Sequence, residues 1–505
     1  MNFVLKGEGN MDFIKGEERE QIVLFPESIE DYVDENGVVR IIDAYINSLN
    51  LEELGFNRSE PNETGRPPYN PKDILKLYLY GYMNRIRSSR RLETEGKRNL
   101  EVMWLLRKLI PDHKTIANFR RDNAKSLKNV FRHFVKLCVE LGLYGKELVA
   151  IDGSKFKAVN SKSRNFTKEK IKKRLKEIDK KLDEYLNALD RYDAEEEKVE
   201  KGKTAEEINK IIKDLNERKM TYQGYTEELE ETGEKQKSLT DSESRLMLSN
   251  GKMDVCYNVQ TAVDSKNKLI AEFEVINNVT DKNRLTPMAK QIKETLDVDN
   301  IVITADEGYA CASDIGEAIQ IGVEPHVAGT DYDICIPAKD GEQVEITSHV
   351  NGKSVYLKDR NIVICPMGKT LYPGYYKKTM GEAVFHNSRA CKSCTCRCTN
   401  QKRAVVQYGL VMDKSDFKTD YNDKALFVRQ VHIKPNKEIY AQRKSLSEHP
   451  FGTVKRVMDG GYCLTKGKRK VTGEFALMFL AYNLKRAINI LGTEKLIQIM
   501  VGLAY

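Results

Sequence analysis

The chain contains no apolar run of about eighteen residues, the length a helix needs to cross a bilayer, so no membrane span is expected. Its start, Met1-Asn-Phe-Val-Leu-Lys-Gly-Glu-Gly, has neither a sustained hydrophobic segment nor a small-residue cleavage site, which argues against secretion. Met11 is a second candidate start, and the sequence does not choose between the two. There is no Walker-type phosphate loop, so no ATP requirement is expected. Tryptophan occurs once, at Trp104, where a core position suits it better than base stacking. Of the ten cysteines, five lie singly beside apolar neighbours, as Cys138 and Cys256 do. That usage suits a reducing cytoplasm rather than a disulfide framework.

Charge, by contrast, is plentiful. Charged residues make up 31% of the chain against 40% hydrophobic, a balance that suits a globular protein with a long solvated helical part. The formal net charge of +8 understates the local contrast. Residues 1–60 are acidic on balance, whereas stretches around 85–135 and 443–486 cluster Lys and Arg. A basic surface draws nucleic acid by counterion release. Composition alone leaves RNA-binding and ribosome-associated proteins open beside DNA-binding ones. At 505 residues the chain exceeds one ordinary core, so two or three domains are expected.

Beyond the acidic segment 1–60, residues 61–145 have a helical pattern. Ile74, Leu75, Leu77, Tyr78, Leu79, Tyr82 and Ile86 form a wide apolar face, and Arg85, Arg87, Arg90 and Arg91 follow on the same helix or its turn. Pro111-Asp112-His113-Lys-Thr115 reads as a helix start with Asp112 or Thr115 as its cap. Helices with basic ends suit a DNA-binding domain; a plain bundle with solvated arginines is the competing reading. From about 147 the apolar runs become short and strand-like, at 147–151, 255–263, 268–276 and 300–305, with a helix near 281–296. Strand, strand, strand, helix, strand, helix is the order of an RNase H-like core, assigned to 146–164 and 236–330.

The interruption at 165–235 is charged and helical. Ile171, Leu175, Ile178, Leu182, Tyr185 and Leu189 alternate by four and three, as does a second set from Ile208 to Leu229. With Lys201-Gly-Lys-Thr204 as the turn, this predicts an antiparallel coiled-coil hairpin whose charges form a solvated face. A second interruption, 331–438, is richer in Thr, Val, Tyr and Gly and reads as β-rich. Residues 439–505 return to helix. The expected fold class is α+β, with an α/β core.

Two carboxylates end apolar, strand-like runs: Leu148-Val-Ala-Ile-Asp152-Gly-Ser and Ile301-Val-Ile-Thr-Ala-Asp306-Glu-Gly-Tyr309. A third stands in Tyr440-Ala-Gln-Arg443-Lys-Ser-Leu-Ser-Glu448-His-Pro-Phe-Gly-Thr-Val-Lys455. Buried carboxylates need a cation, and three of them suit a pair of Mg²⁺ or Mn²⁺ ions roughly 3.5–4 Å apart that serve in-line phosphoryl transfer. Glycines one and two residues after the aspartates would let the backbone turn and admit a phosphate. For either aspartate alone, a strand-end turn is the competing reading. Arg443 would grip phosphate as a fork and Lys455 as a point charge, with Tyr440 packing nearby. Glu307 ranks as a rival acid, Asp264 and Asp281 as structural, and Pro450 is expected to disturb the helix that carries Glu448.

The order Asp152, Asp306, Glu448 and the text around each resemble the DDE transposases of bacterial insertion sequences. The group numbered eleven-eighty-two is the nearest in motif, related to the transposases with a Tyr-Arg-Glu-Lys signature. The resemblance runs from Arg19-Glu-Gln-Ile-Val-Leu-Phe-Pro-Glu-Ser through Gly65-Arg-Pro-Pro-Tyr-Asn-Pro, Gly81-Tyr-Met-Asn-Arg-Ile-Arg, Pro111-Asp-His-Lys-Thr-Ile and Tyr257-Asn-Val-Gln-Thr-Ala-Val-Asp to Leu480-Ala-Tyr-Asn-Leu-Lys-Arg486. It assigns Tyr440, Arg443, Glu448 and Lys455 to the signature, although the Arg-to-Glu gap is one residue longer than the parent pattern. It further implies binding of terminal inverted repeats by the N-terminal domain, strand cleavage and transfer into target DNA, a homodimer synapsed on DNA, and a bacterial, nucleoid-associated location. A domesticated or inactive transposase that acts as a DNA-binding protein is the alternative, and an RNase H-like nuclease on RNA or hybrids a third.

Cys365-Pro-Met-Gly368 precedes the dense run Cys391-Lys-Ser-Cys394-Thr-Cys396-Arg-Cys398. Cys365, Cys391, Cys394 and Cys398 are the preferred four ligands of a structural Zn²⁺, with Cys396 or His386 as substitutes and reduced thiols as the competing reading.

Overall fold

The computed structural model describes residues 28–56, 68–194, 205–249, 251–337, 343–347, 353–357, 360, 362–377, 382–395, 405–409 and 428–502. Six helices come first: α1 (Val38–Ser48), α2 (Pro71–Met83), α3 (Ser89–Arg98), α4 (Leu100–Leu105), α5 (His113–Asp122) and α6 (Ala124–Glu140). Local chemistry sets their starts. Asn70 caps α2 by accepting from Lys72 N–H, with Pro71 in the first turn, and Asp112 caps α5 by accepting from Lys114 and Thr115 N–H.

The central sheet follows: β1 (Leu148–Lys157), then after a first excursion β4 (Arg245–Ser249), β5 (Lys252–Asp264), β6 (Ile270–Ile276), β7 (Ile301–Ala305) and β8 (Val323–Val327), with a second excursion after β8. β5 pairs antiparallel with β1 on one edge and with β4 and β6 on the other. β1 pairs parallel with β7, and β7 with β8. The order across the sheet is β6-β5-β1-β7-β8, with β4 beside the start of β5. Helices α9 (Leu285–Leu296) and α10 (Ala312–Gln320) precede β7 and β8 and supply the crossovers that parallel pairing demands. β5 is buried from Val255 to Asp264, and within that stretch Asn258, Gln260, Thr261 and Asp264 are polar.

The first excursion opens with a small antiparallel pair, β2 (Asn165–Thr167) and β3 (Gln236–Ser238). Between them lie α7 (Lys168–Ala194) and α8 (Ala205–Glu231). Ile171 packs with Leu229 near the base, and Ile178 and Leu182 with Leu215 further out, so the two helices run antiparallel. The turn read at 201–204 lies outside the described residues. The second excursion is bounded by β9 (Tyr332–Pro337) and β16 (Val428–Ile433), which pair with each other. Between them, β10 (Gln343–Thr347), β11 (Lys353–Leu357), β12 (Ile362–Ile364), β13 (Thr370–Lys377), β14 (Glu382–His386) and β15 (Val405–Gly409) form a six-stranded antiparallel meander, with the short helix α11 (Ser388–Lys392) after β14.

Three helices close the chain: α12 (Lys437–Gly452), α13 (Lys468–Leu491) and α14 (Thr493–Gly502). Pro450 sits inside α12 without ending it, and a π-helical turn, Thr453–Val457, follows directly. α13 is buried on nearly all sides from Phe475 to Leu484. It packs against α2, α5 and α6 of the first helical region and against β6 of the sheet, while α14 packs on α1. A single apolar cluster therefore runs from Val33 to Met500. No helix among the described residues is long and apolar enough to cross a membrane.

Candidate active site

The parallel register between β1 and β7 sets Leu148 opposite Val302 and Ala150 opposite Thr304. Continued by two residues, it brings Asp152 opposite Asp306, on strands about 4.8 Å apart. Both aspartates are half-buried. Burial first, and the charge of Asp306 second, push the Asp152 carboxyl up to about 6. Asp306 is likewise raised by burial and then by the charge of Asp281. Opposing these effects, the nearby Ser447 hydroxyl and Arg443 guanidinium favour the charged form, and Asp152 accepts a hydrogen bond from Gly153 N–H (2.8 Å). Arg443 Nη1 lies 3.8 Å from Asp152 Oδ2, too long for a hydrogen bond, and Asp306 accepts from Gly308 N–H at 2.9 Å.

Asp281 is the acid that sequence reasoning set aside and the structure brings in. Its Oδ1 accepts from Asn258 Nδ2 (2.6 Å), Gln260 Nε2 (2.7 Å) and Lys155 Nζ (3.3 Å). Gln260 is held in turn by the buried Tyr309 hydroxyl. This cluster also accounts for the two glycines. A Cβ at Gly153 would lie 2.3 Å from Gln260 Nε2 and 2.7 Å from Asp281 Oδ1, and one at Gly308 would lie 3.0 Å from Asp306 Oδ1 and 3.4 Å from Asp281 Oδ2. Close approach by the protein's own side chains, rather than room for a phosphate, requires glycine there. The missed signal was in β5. Asn258 and Gln260, two apart, are buried on the same face of the strand and need a polar partner.

α12 lies over β1, β5 and β7. Asn436 starts it, accepting from Glu438 and Ile439 N–H. Arg443 and Ser447, four residues apart, share the face toward Asp152, with Leu446 buried beside Leu148 and Ala150. The Arg443 guanidinium also lies over the Tyr440 ring, 5.6 Å from its centroid. Glu448 comes one residue later, about 100° round the helix, and is exposed. Among the described residues no three His, Cys, Asp or Glu side chains form a group that could hold a metal ion, so Glu448 does not join Asp152 and Asp306 in one. His449 accepts or donates at Tyr482 Oη (2.9 Å) and is engaged away from the carboxylates. Lys455, in the π turn, donates from Nζ to Ser154 Oγ (2.7 Å) and Lys155 O (3.1 Å), and burial lowers its pKa. Glu307 packs against Gly329, and Asp264 caps Gly145, Lys146 and Lys266 N–H.

The arginine group divides. Arg85, between α2 and α3, and Arg90 and Arg91, in the first turn of α3, are exposed. Arg87, expected to grip DNA, is instead buried. Its guanidinium donates to Asp459 O and Tyr462 O and pairs with Glu474 Oε1 at 2.6 Å, so none of it is offered to a ligand. Glu474, on α13, also accepts from Leu464 N–H, Thr465 N–H and the Thr465 hydroxyl. Arg120 is buried too, donating to the Tyr82 hydroxyl.

Of the cysteines read as zinc ligands, Cys398, like Cys396, lies outside the described residues. Cys365 is buried in the turn from β12 to β13. It accepts from Lys369 N–H at its sulfur (3.3 Å), while its own N–H donates to Lys369 O (2.9 Å). Asn387 Nδ2 donates to Thr370 O (2.8 Å), tying the start of α11, which carries Cys391, to that hairpin. Cys394 follows α11 directly.

Two family models match the chain. A transposase domain (DUF772) matches residues 27–122, which hold α1 to α5, and a transposase DDE domain matches 364–488, from the Cys365 turn through α12 to α13. Asp152 and Asp306 lie between the two matches. No curated protein matches the chain in sequence. Among solved structures, the piggyBac transposase synaptic complex with hairpin DNA is similar at 10% identity and a TM-score of 0.27, covering 92% of this chain and 76% of that one, a likeness too weak to bear on the fold. On the two family matches, at opposite ends of one chain, the protein carries a transposase domain and a transposase DDE domain.

Proposed function

We propose that this transposase binds the terminal inverted repeats of its element, cuts the strand at each end and joins it to target DNA, with Asp152, Asp306 and Glu448 as the acids of the reaction centre. One observation carries the reading: two half-buried aspartates, Asp152 inside β1 where its pairing with β7 gives out and Asp306 just past the end of β7, stand on adjacent parallel strands, each raised by burial and then by a neighbouring negative charge. The strand order β6-β5-β1-β7-β8 supports an RNase H-like core. Asp152, whose ion-pair partner Arg443 stands 3.8 Å away, together with Asp306, fits divalent ions. Mg²⁺ or Mn²⁺, two ions per centre, would supply Lewis-acid stabilisation and an activated water or 3′-hydroxyl there.

Asp152 and Asp306 would hold the ions, and Glu448, on the exposed side of α12 in this structure, would complete the shell only by turning toward them. Arg443 faces Asp152 from α12, and Asp281, held by Asn258 and Gln260, adds negative charge beside Asp306. Arg443, stacked on Tyr440, and Lys455 line the approach and would steady phosphate oxygens. Exposed Arg85, Arg90 and Arg91 would contact DNA from the helical region, and synapsis of two ends implies a homodimer. Cys365, Cys391, Cys394 and Cys398 would bind a structural Zn²⁺ in the second excursion.

The test uses duplexes made from the DNA flanking the encoding gene. Asp152→Asn, Asp306→Asn and Glu448→Gln should each abolish Mg²⁺-dependent cutting while leaving end binding within about twofold. Cutting by Asp152→Asn or Asp306→Asn at the wild-type rate would sink the assignment. Cutting by Glu448→Gln would move the third acid to Asp281.

A further inference from the structure

We propose that the groove just beyond β1, lined by Lys157, Asn160, Lys162 and Arg164, is a second binding site for the DNA phosphate backbone. The inference rests on the transposase reading and extends it to a site well away from Asp152. The groove is open, about 610 Å³ in volume, and three of its lining side chains are cations. Lys157 pairs only loosely with the lining acid Asp254, at 3.8 Å and with 58% of the lysine exposed. Lys162 and Arg164 are exposed and have no carboxylate partner among the described residues.

The independent observation is Asn160. It is 7% exposed, lines the groove, and neither its amide oxygen nor its amide nitrogen has a partner. A buried amide without partners is unfavourable, and a phosphate oxygen is an acceptor its NH₂ can serve.

The loop that presents these groups is held in place. Lys170 Nζ donates to Lys162 O (2.7 Å), Ser163 O (3.2 Å) and Asn165 O (2.6 Å), and Leu239 N–H donates to Arg164 O. Buried Asn165 bonds Gln236 and Ser238 across the base of the helical hairpin. Lys162 and Arg164 therefore project from a fixed backbone, and less ordering is needed when a ligand binds.

Position relates the groove to the reaction centre. Lys157 lies five residues along β1 from Asp152, ~17 Å at ~3.3 Å per residue. That is the rise of about five base pairs of duplex. Between the two, Lys455 docks on Ser154, and Lys155 lies next along the strand, so cations recur along the path. Five is an odd step along a strand, so Lys157 leaves β1 on the face opposite Asp152, the face of Lys155, and a duplex with its cut phosphate at Asp152 and Asp306 has the groove about half a turn away on that side.

The experiment compares the full chain with Lys162→Ala/Arg164→Ala and, as a control on the exposed face of α7, Lys172→Ala/Lys173→Ala, on the same repeat-end duplex. Removing two phosphate contacts should lower the slope of log affinity against log salt by about two, so that about tenfold less affinity is lost between 50 and 200 mM salt. Phosphate-ethylation interference should disappear about five base pairs from the cut and persist at the cut itself. The control should change neither. An unchanged slope with wild-type binding intact, or interference lost only at the cut phosphate, overturns the groove. Absence of Mg²⁺-dependent cutting by the wild type on that duplex overturns the transposase chemistry instead, so the two failures are read separately.

Discussion

Asp152 shows how a single residue reports its surroundings. Its folded-state pKa, about 6, lies above the ordinary carboxylate value, so the folded chain holds a proton that the unfolded chain has already lost between about pH 4 and pH 6. Stability without metal therefore falls as pH rises through that window, and the cost is complete above pH 6. Asp152→Asn removes the charge, so in chelator the variant should be more stable than wild type by about 2–3 kcal/mol at pH 8 and no more stable near pH 3. Urea unfolding across that pH range measures the difference, and a variant less stable than wild type at pH 8 would contradict the account. Asp152 and Asp306 were legible because an apolar run that stops at an acid is a local pattern, although only Asp306 follows a strand's end and β1 runs on past Asp152 to Lys157. Asp281 was not, because its importance lies in Asn258 and Gln260, which reach it across the fold.

At the scale of elements, the hairpin from β12 to β13 carries the clearest chemistry outside the sheet. A backbone N–H aimed at the Cys365 sulfur, with the Cys391 helix tied to the same hairpin, is an arrangement suited to a thiolate ligand. Protein purified without chelator should carry about one zinc per chain, and Cys365→Ser or Cys391→Ser/Cys394→Ser should release it, since metal and local folding are coupled. Elemental analysis decides, and wild-type protein without zinc would end the idea. Helix α12 teaches a different lesson. Its existence was readable from residues 440–455, but its rotation was not. Leu446, packed against Leu148 and Ala150, turns Arg443 and Ser447 toward Asp152 and leaves Glu448 at the exposed edge.

At the scale of the molecule, the first helices are not an appended module. α13, from the far end of the chain, lies among α2, α5 and α6, and the buried pair Arg87–Glu474 joins the two regions. Removing one partner of such a pair leaves a charge buried alone, so Arg87→Ala should destabilise the full chain by about 3–5 kcal/mol. Arg90→Ala/Arg91→Ala, at exposed positions, should leave the melting temperature nearly unchanged and weaken DNA binding. Thermal melts set beside binding curves separate the two classes, and a stable Arg87→Ala protein with weakened DNA binding would return Arg87 to the DNA-contacting group.

The sequence by itself determined the alternation of helical and strand-like regions, the heptads of the hairpin, the two aspartates that follow apolar runs and the motif order that resembles a DDE transposase. All of these depend on neighbours within a few residues, or on spacing along one chain, where periodicity and composition speak directly. Only the tertiary structure decided which arginines face solvent, which side of α12 meets Asp152, and that Asp281 stands beside Asp306. Those outcomes depend on contacts between residues tens to hundreds of positions apart. Arg87 and Arg90 look alike in the sequence, and they differ because Glu474, almost four hundred residues later, waits in the core for one of them.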